Sequence, residues 1–378
     1  MRILLIGEFS GVHNNLKDGL EQLGHKVLLV SDNGDSFKKF SYDLDIGCNF
    51  ENNFYGKVCK VIKEYTFFHL IKKYDIIQFI HPGVLRTAGY PERYIINILR
   101  EMKKRGKLLF VLACGCDALY SNFCKYNKKY PCPDCEKTDS RRHSCVTKYD
   151  KIYKKYDITF MRNIDKIVTC AYDYDLIYRK YKTLFIDKLS SSMIPLPVNT
   201  DKVSVLSYGY KKEKIVIYHP LNRIGFKGTE KIKQAFLILE KKYGNQAEFI
   251  IKGQMPIKEY EEFLNQIDIL VEQFNFMSYG MSAIYAMAKG KMVVTGCLNE
   301  MKEDKFIGFM KEAPIYDLGY TVNEMVDRIS YIIEHKYLID DYKKKSRQYV
   351  EKYHNYIKVA KKYVDIYDDI LNKNTKVI

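Results

Sequence analysis

No apolar run in this chain approaches the roughly 18 residues that a membrane-spanning helix needs, so a spanning anchor is not expected. The opening MRILLIGEFS meets Glu8 too early for the apolar stretch of a secretory signal, and the expectation is a cytoplasmic protein. There is no compact cysteine framework. Ten cysteines are scattered through 378 residues, several inside apolar stretches such as VLACGCDAL, which argues for a reducing compartment and against a disulfide scaffold. Internal repeats, like-charged tails, a regular zinc finger and an interleaved aromatic and basic platform are all missing, which speaks against a nucleic-acid partner despite a net charge of +16.

What is present is the composition of a globular protein, 47% hydrophobic and 29% charged, in a chain longer than a single hydrophobic core usually serves. Two domains follow as the expectation. The excess of lysine would draw phosphates, anionic lipid or nucleic acid toward the surface, and the lysine and tyrosine enrichment equally fits an A+T-rich genome.

Periodicity gives the fold class. Arg2 to Ile6 reads as a strand, Gly7 to Gly11 as a turn, Leu16, Leu20 and Leu23 as one face of a helix, and Lys26 to Val30 as a second strand. Such a unit builds a parallel sheet, and ligands bind at the carboxyl edge of its strands, which places Gly11 at a binding edge. Strands at Ile76 to Ile80, Leu108 to Ala113 and Lys166 to Cys170, with a helix at Pro91 to Lys104, continue the alternation. The polar, basic segment Tyr120 to Lys148 interrupts it as a surface insertion. Ile194-Pro195-Leu196-Pro197 can continue neither helix nor central strand, and a second alternating series begins at Lys214. Strands are expected at 214–218, 247–252, 269–271 and 292–295, with helices at 229–243, 257–266 and 282–288. After Tyr320 the expectation is helical, at 322–335, 340–351 and 356–371. The resulting division is 1–200, 201–352 and a final element at 353–378.

Two stretches carry chemistry. In IVIYHPLNRIGFKGTEKI a strand runs into Asn222, Arg223, Lys227, Gly228 and Thr229 before a helix, so a diphosphate held there would meet two cations and a helix amino end. In IDILVEQFNFMSYGMSAIYAMAKGKMVVTG the helix starting near Gly280 points its amino end at the ligand edge of the sheet. An exposed basic loop and an ordinary turn are the plainer alternatives for both. Cys132 and Cys135, two residues apart, with Cys145 and either Cys124 or His143, have the ligand types and spacing for a structural zinc; reduced cysteines in a basic loop are the alternative. No other cofactor is called for.

The segments GEFSGVHNNLKDGLEQLGHKV, IPLPVNTDK, HPLNRIGFKGTEKI and DILVEQFNFMSYGMSAIYAMAKGKMVV, in that order, resemble the GT-B glycosyltransferases of the glycogen-synthase-like group, family four, and more narrowly those of bacterial surface-polysaccharide assembly. The resemblance implies an α/β protein of two Rossmann-like domains facing a cleft, with the last helix crossing back to the first domain. It implies a nucleotide-diphosphate sugar as donor and a glycan or lipid-linked glycan as acceptor, with retention of configuration, at the inner face of an anionic membrane. By matching position, Arg223 and Lys227 resemble the diphosphate clamp, Gly253, Gln254 and Met255 stand where the base is held, and Ser278, Tyr279, Gly280 and Met281 where the sugar or diphosphate meets the helix. The pattern is broken twice. Met277 and Tyr285 replace a glutamate pair whose later member holds the ribose, leaving Glu272 as the candidate carboxylate. After the strand Leu108 to Ala113, where such enzymes commonly show a histidine, glycine, small residue and aspartate, Cys114-Gly115-Cys116-Asp117 lacks the histidine and retains only Asp117, with His81 as an alternative imidazole. A GT-B-like scaffold without catalysis is the other reading these departures allow.

Overall fold

The computed structural model describes residues 1–32, 38–126, 151–185, 187–205, 213–275, 278–296, 302–305 and 307–375. In chain order the first half contains β1 (Arg2–Ile6), α1 (Val12–Gln22), β2 (Lys26–Ser31), β3 (Leu44–Asp45), α2 (Phe54–Ile71), β4 (Ile76–Phe79), α3 (Val84–Thr87), α4 (Glu92–Lys104), β5 (Leu108–Ala113), α5 (Ala118–Tyr126), α6 (Lys151–Asn163), β6 (Lys166–Thr169) and α7 (Tyr172–Lys180). The second half contains β7 (Ile215–Pro220), α8 (Ile224–Lys227), α9 (Thr229–Tyr243), β8 (Ala247–Lys252), α10 (Ile257–Gln266), β9 (Ile269–Val271), α11 (Met281–Ala288), β10 (Met292–Thr295), β11 (Ile315–Asp317), α12 (Val322–Glu334), α13 (Tyr337–Tyr349) and α14 (Tyr356–Thr375).

Two all-parallel sheets result. The first has the order β3-β2-β1-β4-β5-β6 and the second β11-β10-β9-β7-β8. Strands such as IIQF and LLFVLA are buried along their whole length, as strands covered on both faces must be. In each sheet the chain reverses its lateral direction beside the first strand, the place where such sheets bind ligands.

The last helix returns to the first domain. Gly19 of α1 makes the close approach possible, since a methyl group there would stand 2.3 Å from the Tyr356 carbonyl oxygen and 2.8 Å from the Ala360 side chain. Further along α14, the Tyr367 ring lies 4.7 Å from Phe110 of β5, and its hydroxyl donates to Gln78 Oε1 at 2.5 Å. Gln78 in turn donates to His13 Nε2 (3.3 Å), whose Nδ1 donates to the Gly7 carbonyl (2.7 Å). Burial lowers the His13 pKa to about 4, so this relay is uncharged at neutral pH.

The stretch containing Pro195 and Pro197 carries the chain between the halves, and it runs beside the return crossing. Val198 N donates to the His354 carbonyl at 2.8 Å, and Tyr356 N donates to the Val198 carbonyl at 3.1 Å. Arg347 of α13 ties the linker down, donating to the carbonyls of Val203 and Ala288 at 2.8 Å and of Thr200 at 3.2 Å.

The expected insertion opens differently from its sequence reading. Its first residues belong to α5, where Tyr120 and Cys124 are 1% and 3% exposed, so this part is core and not a surface loop; 127–150 lie outside the described residues.

Candidate functional site

Between the domains, two connected cavities share Ser10, Lys38, Asn222, Met281 and Ser282 in their walls. The smaller, about 430 Å³ including its mouth, is bounded by Tyr218, Tyr260, Met255 and Phe40, with Gly253, Gln254 and Tyr285. Its aromatic and apolar walls suit a flat ring. Gly253 is obligatory there, because a methyl group would fall 2.1 Å from the Leu221 carbonyl oxygen. The larger, about 860 Å³ on the same measure, is bounded by Arg223, Lys227, Lys38, Glu272, Ser278, Tyr279 and Gly280, together with Asp173 and Cys114 of the first domain.

The turn from β7 to α9 sets the cations. Gly228 has φ 72°, the left-handed region glycine tolerates, and it ends α8 and begins α9 in a single residue. A methyl group there would stand 3.0 Å from Asn275, so β9's outgoing loop packs directly on this turn. Below it His219 is fully enclosed, its Nδ1 donating to the Val271 carbonyl and its Nε2 accepting from the Thr229 hydroxyl, both at 2.8 Å. Burial lowers its pKa to about 3, so the imidazole braces the turn as a neutral group. Thr229 thus spends its hydroxyl on the brace.

Lys227 is 6% exposed and its ammonium lies 3.2 Å from Glu272 Oε2 and 3.2 Å from Ser282 Oγ. Burial lowers its pKa, assisted by the Arg223 charge and opposed by Glu272. Glu272 is 1% exposed, and its other oxygen accepts from Gly280 N and Ser282 Oγ, each at 3.4 Å. A carboxylate therefore sits at the amino end of α11, where the helix favours negative charge. Arg223 is half-buried, stacked 4.0 Å over the Phe226 ring, with one terminal nitrogen 3.5 Å from Cys116 Sγ of the first domain.

The sequence reading missed a third cation. Lys38 follows β2, its ammonium donates to the Ser10 hydroxyl, and its carbonyl accepts from Ile257 N of the second domain at 2.9 Å. Its pKa is lowered to about 8, first by burial and then by the Lys227 charge, with Glu272 and Glu8 acting the other way. The signal was the loop's position at the carboxyl edge of the sheet, the same rule that singled out the loop after β1.

That first loop holds its own anion. Glu8 accepts from Gly11 N (2.5 Å), Asn14 N (2.8 Å) and Asn14 Nδ2 (2.8 Å), capping α1, and burial raises its pKa. Gly11, at φ 86°, lies outside the cavity walls and makes room for the partner domain: a methyl group would stand 2.3 Å from the Tyr285 hydroxyl. That hydroxyl accepts from Asn15 Nδ2 at 3.0 Å. Tyr285 thus bridges the domains beside the flat slot.

His81 and Asp117 take structural places outside both cavities. His81 Nδ1 accepts from Gly83 N at 2.9 Å and Nε2 donates to the Cys116 carbonyl at 3.0 Å, which engages both nitrogens. Asp117 is 1% exposed, accepting from Tyr120 N at 2.8 Å and from the Tyr178 hydroxyl, and burial raises its pKa. It caps α5. Neither residue is among those that line the two cavities. Cys132, Cys135, His143 and Cys145 lie outside the described residues, and Cys124 is buried in α5. Among the described residues no group of three or more His, Cys, Asp or Glu is arranged to hold a metal.

The sequence matches no protein-family model and no curated protein. Its structure is similar to that of sucrose-phosphate synthase from Thermosynechococcus elongatus, with 12% identity, 99% of this chain and 100% of that chain covered, and a TM-score of 0.63. It is similar to Anabaena HepE in complex with UDP-glucose, with 10% identity, coverage of 98% and 100%, and a TM-score of 0.59. A third neighbour, a putative UDP-N-acetylglucosamine 2-epimerase from Listeria monocytogenes, has 10% identity, coverage of 96% and 94%, and a TM-score of 0.51. The chain has the GT-B fold, two Rossmann-like domains around a cleft.

Proposed function

We propose that this protein is a glycosyltransferase that takes a sugar from a nucleoside-diphosphate donor. The observation that carries the reading is the meeting of Arg223, Lys227 and Lys38, drawn from both domains, in one cleft beside an aromatic slot. In glycosyl transfer the sugar becomes cation-like while negative charge grows on the departing diphosphate. Fixed cations and a helix amino end aimed at that charge stabilise the transition state more than the ground state. Arg223, Lys227 and the start of α11 take that role, with Asn222 beside them. The base lies against Gly253, Gln254 and Met255, and the sugar near Ser278 to Met281. Two proteins of similar fold, a sucrose-phosphate synthase and HepE in complex with UDP-glucose, support this class of ligand.

The acceptor is a glycan or lipid-linked glycan of surface-polysaccharide assembly, and configuration is retained, the donor phosphate helping to take the acceptor proton. This chemistry needs no protein base, in keeping with the structural places of His81 and Asp117. Those same places favour a second reading, a binding protein without transfer, in which the cleft holds a nucleotide sugar and releases it unchanged.

Thermal shifts with a panel of nucleoside diphosphates identify the base, and sugar release from the matching donor separates the readings. Arg223→Ala is expected to lower turnover by about 100-fold, as removal of one fixed donor to a transition-state charge does, with little change in melting. Unchanged transfer in Arg223→Ala would refute the assignment; nucleotide binding without transfer or hydrolysis in the native protein would establish the second reading.

A further inference from the structure

Two thiols meet on the first-domain wall of the cleft. Ala113 of β5 and Thr169 of β6 are register partners on neighbouring parallel strands, so Cys114 and Cys170 are the next residue on each. Adjacent strands run about 4.8 Å apart, which lies within the Cα separation of roughly 4.4–6.8 Å that a disulfide spans. The Cys170 thiol donates to the Ala113 carbonyl at 3.5 Å, the peptide group that leads into Cys114. Both are free cysteines, and their surroundings differ. Cys114 is half-buried and lines the larger cavity, where a dissolved reagent reaches it. Cys170 is 2% exposed and lines neither cavity. Hydrogen bonding with Cys114, and then burial, hold its pKa well above the usual thiol range, so it stays a protonated thiol until its neighbour reacts.

We propose that Cys114 and Cys170 are a modification site, a dithiol that a hydroperoxide converts to a disulfide and that sets the grip of the cleft on a diphosphate. The Cys114 sulfur attacks hydrogen peroxide, the O–O bond breaks, and a sulfenic acid and one water result. The Cys170 sulfur then attacks the Cys114 sulfur, and the hydroxyl leaves as a second water with the Cys170 proton. Two thiols lose two hydrogens and two electrons, and one peroxide becomes two waters. A reducing compartment keeps the pair as thiols at rest, and a thiol reductant restores it. The new bond, about 2.05 Å long, is far shorter than a contact between thiols. Cys170, enclosed in the core, is the fixed end, so Cys114 and the turn after it are drawn toward β6. In that turn Gly115 N donates to the Tyr174 hydroxyl at 2.9 Å, and Cys116 Sγ accepts from Arg223 at 3.5 Å. Moving Cys116 takes away a first-domain seat of the Arg223 guanidinium. Only this effect on binding rests on the reading of the cleft as a diphosphate site; the disulfide stands on the two sulfurs.

The test treats reduced full-length protein with hydrogen peroxide, alkylates it with N-ethylmaleimide, digests it without reductant and reads the peptides by mass spectrometry. The expected product is a linked pair of Cys114 and Cys170 peptides, two hydrogens lighter than the separate peptides, which dithiothreitol opens again. Cys59, exposed on α2, reports that alkylation is complete in the reduced sample. Affinity for the tightest binder among UDP, GDP, ADP and dTDP, read by calorimetry, is expected to fall about tenfold in the disulfide form, the scale of one lost hydrogen bond to a charged group. Cys170→Ser, outside both cavities, is expected to bind that nucleotide as the native protein does and to yield no linked pair. Oxidation of Cys114 to a sulfinic acid while Cys170 still alkylates, or a link from Cys114 to Cys116, would overturn the dithiol. A disulfide form with native affinity would overturn its effect on the cleft. The peptide map on native protein needs neither a variant nor a nucleotide, so it decides the pair by itself, and failure of all four nucleotides to bind reduced protein counts against the diphosphate reading alone.

Discussion

Lys227 and Glu272 form a buried ion pair at the heart of the site, and replacing one or both partners separates fold from ligand. At 3.2 Å and an effective dielectric constant near 20 the attraction is about 5 kcal/mol, most of it offset by the cost of taking both groups out of water. Lys227→Met leaves Glu272 buried without its cation, which costs about 3–5 kcal/mol. For a domain of this size that lowers melting by between about 6 and 20 °C. Lys227→Met/Glu272→Gln removes both charges and is expected to recover most of that loss, to within about 1 kcal/mol of native. The double variant still lacks a charged donor to the diphosphate, so its affinity for the preferred nucleoside diphosphate should fall about 10- to 150-fold, equivalent to about 1.5–3 kcal/mol. Thermal unfolding and titration calorimetry on the same three samples read both quantities. Native affinity in the refolded double variant would refute a role for Lys227 in anion binding, and a single variant as stable as the native protein would refute the buried pair.

Other outcomes follow from single side chains. The unfolded chain holds the Lys38 proton up to the ordinary lysine value of about 10.5 while the folded chain releases it near 8, so between these values the unfolded state carries more protons and the Lys38 contribution to stability rises with pH. Diphosphate affinity should run the opposite way, weakening above about pH 8 as the cation is lost, and calorimetry of Lys38→Met should show a flatter profile. Gly253→Ala sets a methyl group against the Leu221 carbonyl and should abolish nucleotide-induced thermal shifts while costing about 1–3 kcal/mol by overpacking. Gly19→Val drives α14 off α1 and should lower melting of the first domain by several degrees, read by hydrogen exchange at 356–367.

The alternation of strands and helices was legible because parallel strands buried on both faces, such as LLFVLA and MVVT, read as short continuous apolar runs. Arg223 and Lys227 were legible because they stand beside a strand end and a glycine turn. Lys38 was not, since its entry into the cleft depends on a loop folding across to Ile257, a contact between residues 219 positions apart that no local pattern encodes. Glu272 was singled out as a carboxylate, yet its partnership with Lys227 arises only when β7 and β9 lie side by side. Asp117 was read from the family resemblance and His81 from its place at a sheet edge, and neither reading could see the hydrogen bonds that Gly83, Cys116, Tyr120 and Tyr178 make with them. In α2 the periodicity of Phe54, Val58, Val61, Ile62 and Tyr65 specifies a helix but is silent on which face meets the sheet.

The two strands of backbone that join the halves touch each other, Val198 against Asn355. A body connected to its neighbour along one line can swing about that line without stretching either connection. Opening the cleft would turn on a few torsion angles at 198–199 and 354–355, with α14 travelling with the first domain, and would have to break the bonds from Ile257 to Lys38 and from Asn15 to Tyr285 that tie the two halves on the other side.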